Sequence, residues 1–194
     1  MNRKTTLIVI SLLLAAAVSG SIWRTNQESR IYYIQAADTD FNSPFHLLFH
    51  RYGTVTFYQH GEWIRAYLAH YNRDELVLHK PVSSIGTGEA FTFSGSFTWG
   101  ITTEGGEAAE LRAMLMRNGA VSWNYIDLSV LEFDLTKAST VGFPFIPSDV
   151  LSQEGIYVLH LWQSEAFHRA DGNVFHPEQL QGSEHTVILY IVFE

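Results

Sequence analysis

Large apolar side chains alternate with small or polar residues between Phe91 and Ile101. The apolar set is Phe91, Phe93, Phe97, Trp99 and Ile101, and the other set is Thr92, Ser94, Ser96, Thr98 and Gly100. Gly95 interrupts the apolar set. A period of two residues is typical of a β-strand that turns one face toward a core and the other toward solvent. The segment therefore predicts a strand in a sheet with one buried face.

Shorter strand signals, rich in β-branched and aromatic residues, lie on both sides of this segment. They cover 31–34, 54–58, 63–68, 75–79, 121–126, 156–162 and 187–193. His60-Gly61 predicts a hairpin turn between the second and third of these signals, and Pro81 is expected to end the fourth. The last segment is apolar on both faces, which indicates a central strand of its sheet.

Two segments are candidates for helices. Ser43-Pro44 is typical of a helix start and predicts a short helix over 45–52 that ends at Gly53. The composition of 107–117 favours a helix by propensity, but the Asn118-Gly119 that follows could cap a helix or turn a hairpin. Both readings of 107–117 stay open, and we favour the hairpin because strand signals surround it.

Many short strands separated by turn signals predict an all-β fold, an antiparallel β-sandwich. Residues 151–159 resemble the approach to the tyrosine corner of immunoglobulin-like sandwiches, with Tyr157 near the start of a late strand. Leu159 stands where antibody domains have a cysteine. The resemblance covers about 86–194, and it implies an immunoglobulin-like arrangement of the C-terminal part. It implies a fold type and no activity.

The N-terminus has the pattern of a signal peptide or membrane anchor over 1–24. Arg3 and Lys4 precede a run without charges, 7–23, which Arg24 ends. The export machinery reads such a pattern and leaves the positive end in the cytoplasm. We favour an anchor helix that stays uncleaved, and a secreted form remains the alternative. A short linker (25–30) then leads to an extracytoplasmic domain (31–194), in which 31–80 could supply additional strands or a subdomain.

The composition narrows the possible partners. The 194 residues include no cysteine and carry a formal net charge of −8. An acidic surface repels phosphate backbones, so we expect no nucleic-acid partner. Without cysteine the chain forms neither disulfides nor thiolate metal sites.

Among the residues of this sequence, the histidines are the strongest candidates for metal ligands. His46 and His50 lie four residues apart, so their rings share a face on a helix and on a strand alike. That is half of a zinc or copper site, and no third ligand is apparent nearby. We expect ordinary surface histidines and no resident cofactor, with a Zn or Cu site as the alternative.

Two tryptophans near predicted turns, Trp63 and Trp123, are the candidates for ligand-binding aromatics. No nucleophile elbow and no phosphate-binding loop is present in the sequence. The sequence thus favours a non-catalytic, exported or membrane-anchored module that binds a protein, a peptide or an envelope glycan. A metal-binding protein that uses histidines is the second hypothesis, and an unrecognised hydrolase is the third.

Overall fold

A computed structural model describes residues 33–37, 48–73, 75–142, 156–165 and 183–194 of the protein. Within these ranges there are eight β-strands and two single 3₁₀ turns, Leu128–Val130 and Leu135–Lys137. The strands are β1 (Tyr33–Ala36), β2 (Arg51–Asn72), β3 (Glu75–Glu104), β4 (Glu107–Arg117), β5 (Ala120–Asp127), β6 (Ser139–Gly142), β7 (Ile156–Gln163) and β8 (His185–Phe193). The prediction of an all-β fold is confirmed.

All eight strands belong to one antiparallel sheet. The strand order is β5-β4-β3-β2-β8-β7-β6, and β1 also pairs with β2. One edge of β2 serves two partners, since 55–58 pair with β1 and 64–72 pair with β8. The strand β8 lies between β2 and β7, as predicted from its two apolar faces.

The sheet folds over itself around the core. Three steps of about 4.8 Å separate β3 from β7 along the strand order. The rings of Trp99 on β3 and Trp162 on β7 nevertheless meet edge to face at 5.6 Å. At another point Ser83 in the first half of β3 donates a hydrogen bond to Ser122 on β5, with a length of 3.1 Å. The two halves of the sheet therefore face each other across the buried side chains.

The alternation that opened the sequence analysis marks this core. Phe93, Phe97, Trp99 and Ile101 are buried, whereas Phe91 is largely exposed. The preferred reading of 107–117 is also confirmed. It forms β4, and Asn118-Gly119 turns the chain into β5 with positive φ at both residues, +42° and +85°. This is the backbone that a two-residue hairpin turn requires.

Gly61 marks no turn, so the predicted hairpin at His60-Gly61 is wrong. The strand β2 continues from Arg51 to Asn72, with a bulge between Gly61 and Trp63. A side chain at Gly61 would collide with the carbonyl oxygen of Glu194, which accepts hydrogen bonds from the backbone of Glu62 and Trp63. Glycine is needed here for close approach of two backbones.

Pro81 does not end a strand either. It lies inside β3, opposite Tyr67, next to a shift in register. The first half of β3 pairs with β2 and with no other described strand, so its second edge is free, and a strand with a free edge tolerates proline. The predicted helix over 45–52 is also wrong at its end, because Arg51 and Tyr52 already belong to β2. Residues 45–47 lie outside the described ranges.

The immunoglobulin-like arrangement is not confirmed. The described strands form a single sheet in place of the two sheets of that fold. The hydroxyl of Tyr157, the proposed corner residue, accepts a hydrogen bond of 3.1 Å from the side chain of Gln59 on β2.

The predicted leader (1–24) and linker (25–30) lie outside the described residues. No helix among the described residues has the length and apolar character needed to cross a membrane.

Hydrogen bonds to the carboxylate of Asp134 connect the loop after β5 to the sheet. One of its carboxylate oxygens accepts hydrogen bonds from the backbone N–H groups of Thr136 and Ala108, at 3.0 and 3.1 Å. Burial raises the pKa of Asp134, but these bonds outweigh it and lower the pKa to about 2. Asp127 caps the preceding 3₁₀ turn with a single backbone bond, from Ser129.

We expect Asp134→Ala to lower the free energy of unfolding by about 1–2 kcal/mol, because it leaves two backbone donors unpaired. Asp127→Ala is the matched control, with one exposed bond to lose, and should cost less. Urea denaturation of both variants measures the difference. Equal losses would mean that the link from Asp134 to β4 contributes nothing.

Candidate functional site

The outward face of β4 and β5 carries an exposed cluster of large side chains. Alternation along β5 turns Val121, Trp123 and Tyr125 to the same side, and Trp123 and Tyr125 are 72% and 65% exposed. Their cross-strand partners on β4 are Met116, Met114 and Arg112. We call these six residues the Trp123 face. Side chains of this size seldom stand together in solvent on a monomeric protein.

A shallow apolar slot lies at the inner border of the Trp123 face. The ring of Phe49 covers Gly100, where an added Cβ would come within 2.5 Å of the ring. Phe49, Met114 and Trp123 enclose a space of about 30 Å³ beside Gly100. That volume is enough for a single methyl or methylene group of another molecule.

An acidic groove adjoins the other border of the Trp123 face. Its volume is about 730 Å³, and Tyr125 and Arg112 belong to its walls. The acidic side chains that line it are Glu104, Glu107, Glu110 and Asp127. Arg112 pairs with Glu110 at 2.8 Å, and Lys137 lies 3.7 Å from Glu107. Four carboxylates thus stand beside an aromatic surface, with two basic groups next to them.

The two tryptophans predicted as ligand-binding residues lie on different strand pairs. Trp123 is opposite Met114, in the centre of the Trp123 face. Trp63 is opposite Gly86 on β3, and its ring lies directly over that glycine. The guanidinium of Arg65 stands 5.0 Å from the centre of the Trp63 ring, which leaves Trp63 only 36% exposed. The sequence therefore located one exposed aromatic platform and one ring that is packed by its own neighbours.

The histidine pair predicted as half of a metal site is described only in part. His50 is exposed and precedes β2, where its backbone N–H donates to the carbonyl of Ile101 at 2.8 Å. His46 lies outside the described residues. Among the described residues no three histidine or carboxylate side chains come together as metal ligands.

Two other histidines, 115 positions apart in the sequence, do come together. The Nε2 of His70 lies 3.1 Å from the Nδ1 of His185, and Phe133 stacks on the His185 ring. Burial lowers the pKa of His70, the neighbouring His185 lowers it further, and Glu132 raises it. No local pattern could have paired these residues, because the contact depends on the register between β2 and β8.

His160 and His70 are the two described histidines that the fold buries. His160 stands between Trp99 and Trp162, with ring centres 4.7 and 4.2 Å away. Burial, and then the charge of Arg51, lower the pKa of His160 to about 3. The imidazole is therefore neutral at physiological pH, and within the described part of the chain its buried Nε2 has no hydrogen-bond partner.

Comparison of the chain with protein-family models, with curated proteins and with solved structures found no match.

The buried histidines predict a stability that falls in acid. His70 and His160 have lowered pKa values in the folded protein, so the unfolded chain binds more protons below its own histidine pKa of 6.5. Above that pH the two groups take nothing from the free energy of unfolding. As the pH falls below it, the free energy of unfolding decreases by up to about 1.4 kcal/mol per pH unit for each group.

Urea denaturation of the full chain between pH 7.5 and pH 4.5 measures this slope. His160→Phe, which keeps a ring in place and removes the titrating group, should flatten it. The exposed His79→Phe is the control and should leave the slope nearly unchanged. A slope that His160→Phe does not alter would contradict the prediction.

Proposed function

We propose that this protein is a non-catalytic, exported or membrane-anchored module that binds a partner protein through the Trp123 face. The location rests on the N-terminal sequence pattern, with its positive residues before an apolar run. The binding role rests on a single observation, the exposure of Trp123 and Tyr125 on a sheet face.

The residue types of the Trp123 face favour a protein partner. Tryptophan, tyrosine, arginine and methionine are enriched in protein–protein interfaces, and the first three dominate their binding energy. All four types occur here side by side, on two strands that hold their positions in register. Because the sheet fixes the backbone, few degrees of freedom are lost when a partner docks.

The acidic groove indicates what the partner's surface carries. Glu104, Glu107 and Asp127 lie next to the aromatic rings, and the whole chain has a net charge of −8. Complementary potentials steer association and reject wrong partners. The partner that fits has an apolar centre for Trp123 and Tyr125 and basic residues along one side.

The other hypotheses have less support from the described residues. An envelope glycan could stack on Trp123, but the slot between Trp123 and Phe49 has a volume of only about 30 Å³, which admits a methyl or methylene group and no sugar ring. The metal hypothesis has one described ligand candidate, His50. No observation on the described residues favours a hydrolase.

Photo-crosslinking followed by affinity measurement tests the proposal. A benzophenone side chain replaces Tyr125 in the full chain, inside the cells that make the protein, and replaces the exposed Val77 on β3 as the control. We expect a polypeptide cross-linked from position 125 and not from position 77. With that polypeptide purified, Trp123→Ala should weaken binding at least about 30-fold, and Val77→Ala should not.

Two outcomes would contradict the proposal. Equal affinity of Trp123→Ala and the unchanged chain for the cross-linked protein would remove the Trp123 face from the interface. Saturable binding of envelope polysaccharide that Trp123→Ala abolishes would keep the face and replace the protein partner by a glycan. In support of a basic partner, higher salt and Glu107→Gln should both slow association.

A further inference from the structure

A second cavity lies inside the fold, on the opposite side of the sheet from the Trp123 face. Trp99 pairs with Ala113, and Ala113 pairs with Asn124, the residue next to Trp123, so alternation turns the two indoles to opposite faces. The cavity has a volume of about 240 Å³ and is partly open to solvent. It lies between the beginning of β2 with Trp99 and the β6–β7 pair with His160. It is therefore separate from the exposed rings of Trp123 and Tyr125, although Tyr52 and Trp99 also line the slot beside Trp123.

Two glycines create this space. Gly53 is paired with Trp99 and Gly142 with His160, so each glycine faces an aromatic ring on the neighbouring strand. A Cβ on Gly53 would come within 2.9 Å of the indole, and one on Gly142 within 2.7 Å of the His160 Nδ1. Any side chain at either position would enter the cavity or displace a ring. Because the two glycines have no side chains, the rings of Trp99 and His160 form walls of the cavity.

His160 supplies hydrogen-bonding capacity that no described residue uses. Its side chain is only 8% exposed, and its Nε2 is buried without a partner among the described residues. The Nδ1 and Cε1 atoms are the ring atoms closest to the Gly142 side of the cavity. A half-turn of the ring brings Nε2 to the place of Cε1, so either orientation presents a nitrogen there. An unpaired buried nitrogen costs free energy that a ligand could recover.

The lining determines the charge of a suitable ligand. Its residues are Tyr52, Gly53, Thr54, Val55, Trp99, Gly142, Leu159 and His160. None of them carries a formal charge, because the His160 imidazole is neutral. None of the lining residues offers an entering ion an opposite charge, so the loss of its hydration would be costly. Arg51, whose charge lowers the pKa of His160, would in addition repel a cation. The site thus suits a neutral molecule that is apolar over most of its surface.

We propose that this cavity binds a small, uncharged ring compound that carries a hydroxyl group. The ring packs against Trp99, and the hydroxyl bonds to His160. A hydroxyl both donates and accepts, so it pairs with the imidazole in either tautomer. At about 30 Å³ for each water molecule, the space equals roughly eight waters, which accommodates one ring and no longer chain.

Calorimetric titration of the full chain with four probes tests the site. Phenol and cyclohexanol carry the proposed chemistry, as an aromatic and a saturated ring alcohol. Benzene lacks the hydroxyl, and benzoate carries a charge. We expect saturable binding of phenol or cyclohexanol, with an affinity that is constant between pH 6 and pH 8. Benzene should bind at least about tenfold more weakly than phenol, as the loss of one hydrogen bond implies, and benzoate should also bind more weakly, because its charge loses hydration.

Three variants locate the binding. Gly142→Ala should abolish it by filling the wall beside His160, and His160→Phe should weaken it about tenfold while keeping a ring in place. Gly86→Ala, which crowds Trp63 on another strand pair, is the matched control and should change nothing. Circular dichroism spectra verify that each variant is folded.

The proposal is overturned if neither phenol nor cyclohexanol binds saturably, or if Gly142→Ala binds as well as the unchanged chain. Tighter binding of benzoate than of phenol would also overturn it, since that result requires an anion site. None of these results depends on Trp123, so the failure of this site and of the protein interface are distinguishable.

Discussion

The pairing between β2 and β3 is the interaction on which the rest of the structure depends. It extends from Arg51 and Ile101 at one end to Asn72 and Glu75 at the other. The second half of β3 carries β4 and β5, and the second half of β2 carries β8 with β7 and β6. Because each long strand bends at its bulges, the two halves can face each other and share one core. Breaking this ladder would separate the halves that enclose the core.

Glycine opposite an aromatic ring is a recurring device in this sheet. The rings of Trp99, Trp63 and His160 each lie over the glycine that is paired with them on the neighbouring strand. Packing a ring over a glycine compensates for the missing side chain of the glycine in a strand. Whether such a ring stays near solvent or lines a cavity depends on the face of the sheet that carries it. Over Gly86 the ring remains near solvent, whereas over Gly53 and Gly142 two rings enclose an internal cavity.

The sequence predicted features that depend on neighbours along the chain and missed those that depend on distant strands. The alternation at Phe91–Ile101, the turn at Asn118-Gly119 and the central position of 187–193 are local signals, and the structure confirms them. From the local sequence alone, Gly61 predicts a turn and Pro81 predicts a strand end. In the structure both lie inside long strands. Gly61 allows the close approach of the Glu194 backbone, and Pro81 lies in the half of β3 that has a free edge among the described strands. The pair His70–His185 and the cavity at His160 have no local signal at all.

The two faces of β3 and β4 show how one sheet can serve two kinds of binding. Alternation assigns Trp99 to the inner face and Met114, with Trp123, to the outer face. On the inner face burial keeps His160 neutral, and none of the residues that line its cavity carries a formal charge. The outer face collects charge at its border, where Glu104, Glu107 and Asp127 stand in solvent. A surface of the second kind can steer a large partner over long distance, while an uncharged cavity can select only by shape and by single hydrogen bonds. The two sites that we propose on this sheet therefore differ in ligand class for a physical reason, the contrast in electrostatic environment between its inner and outer faces.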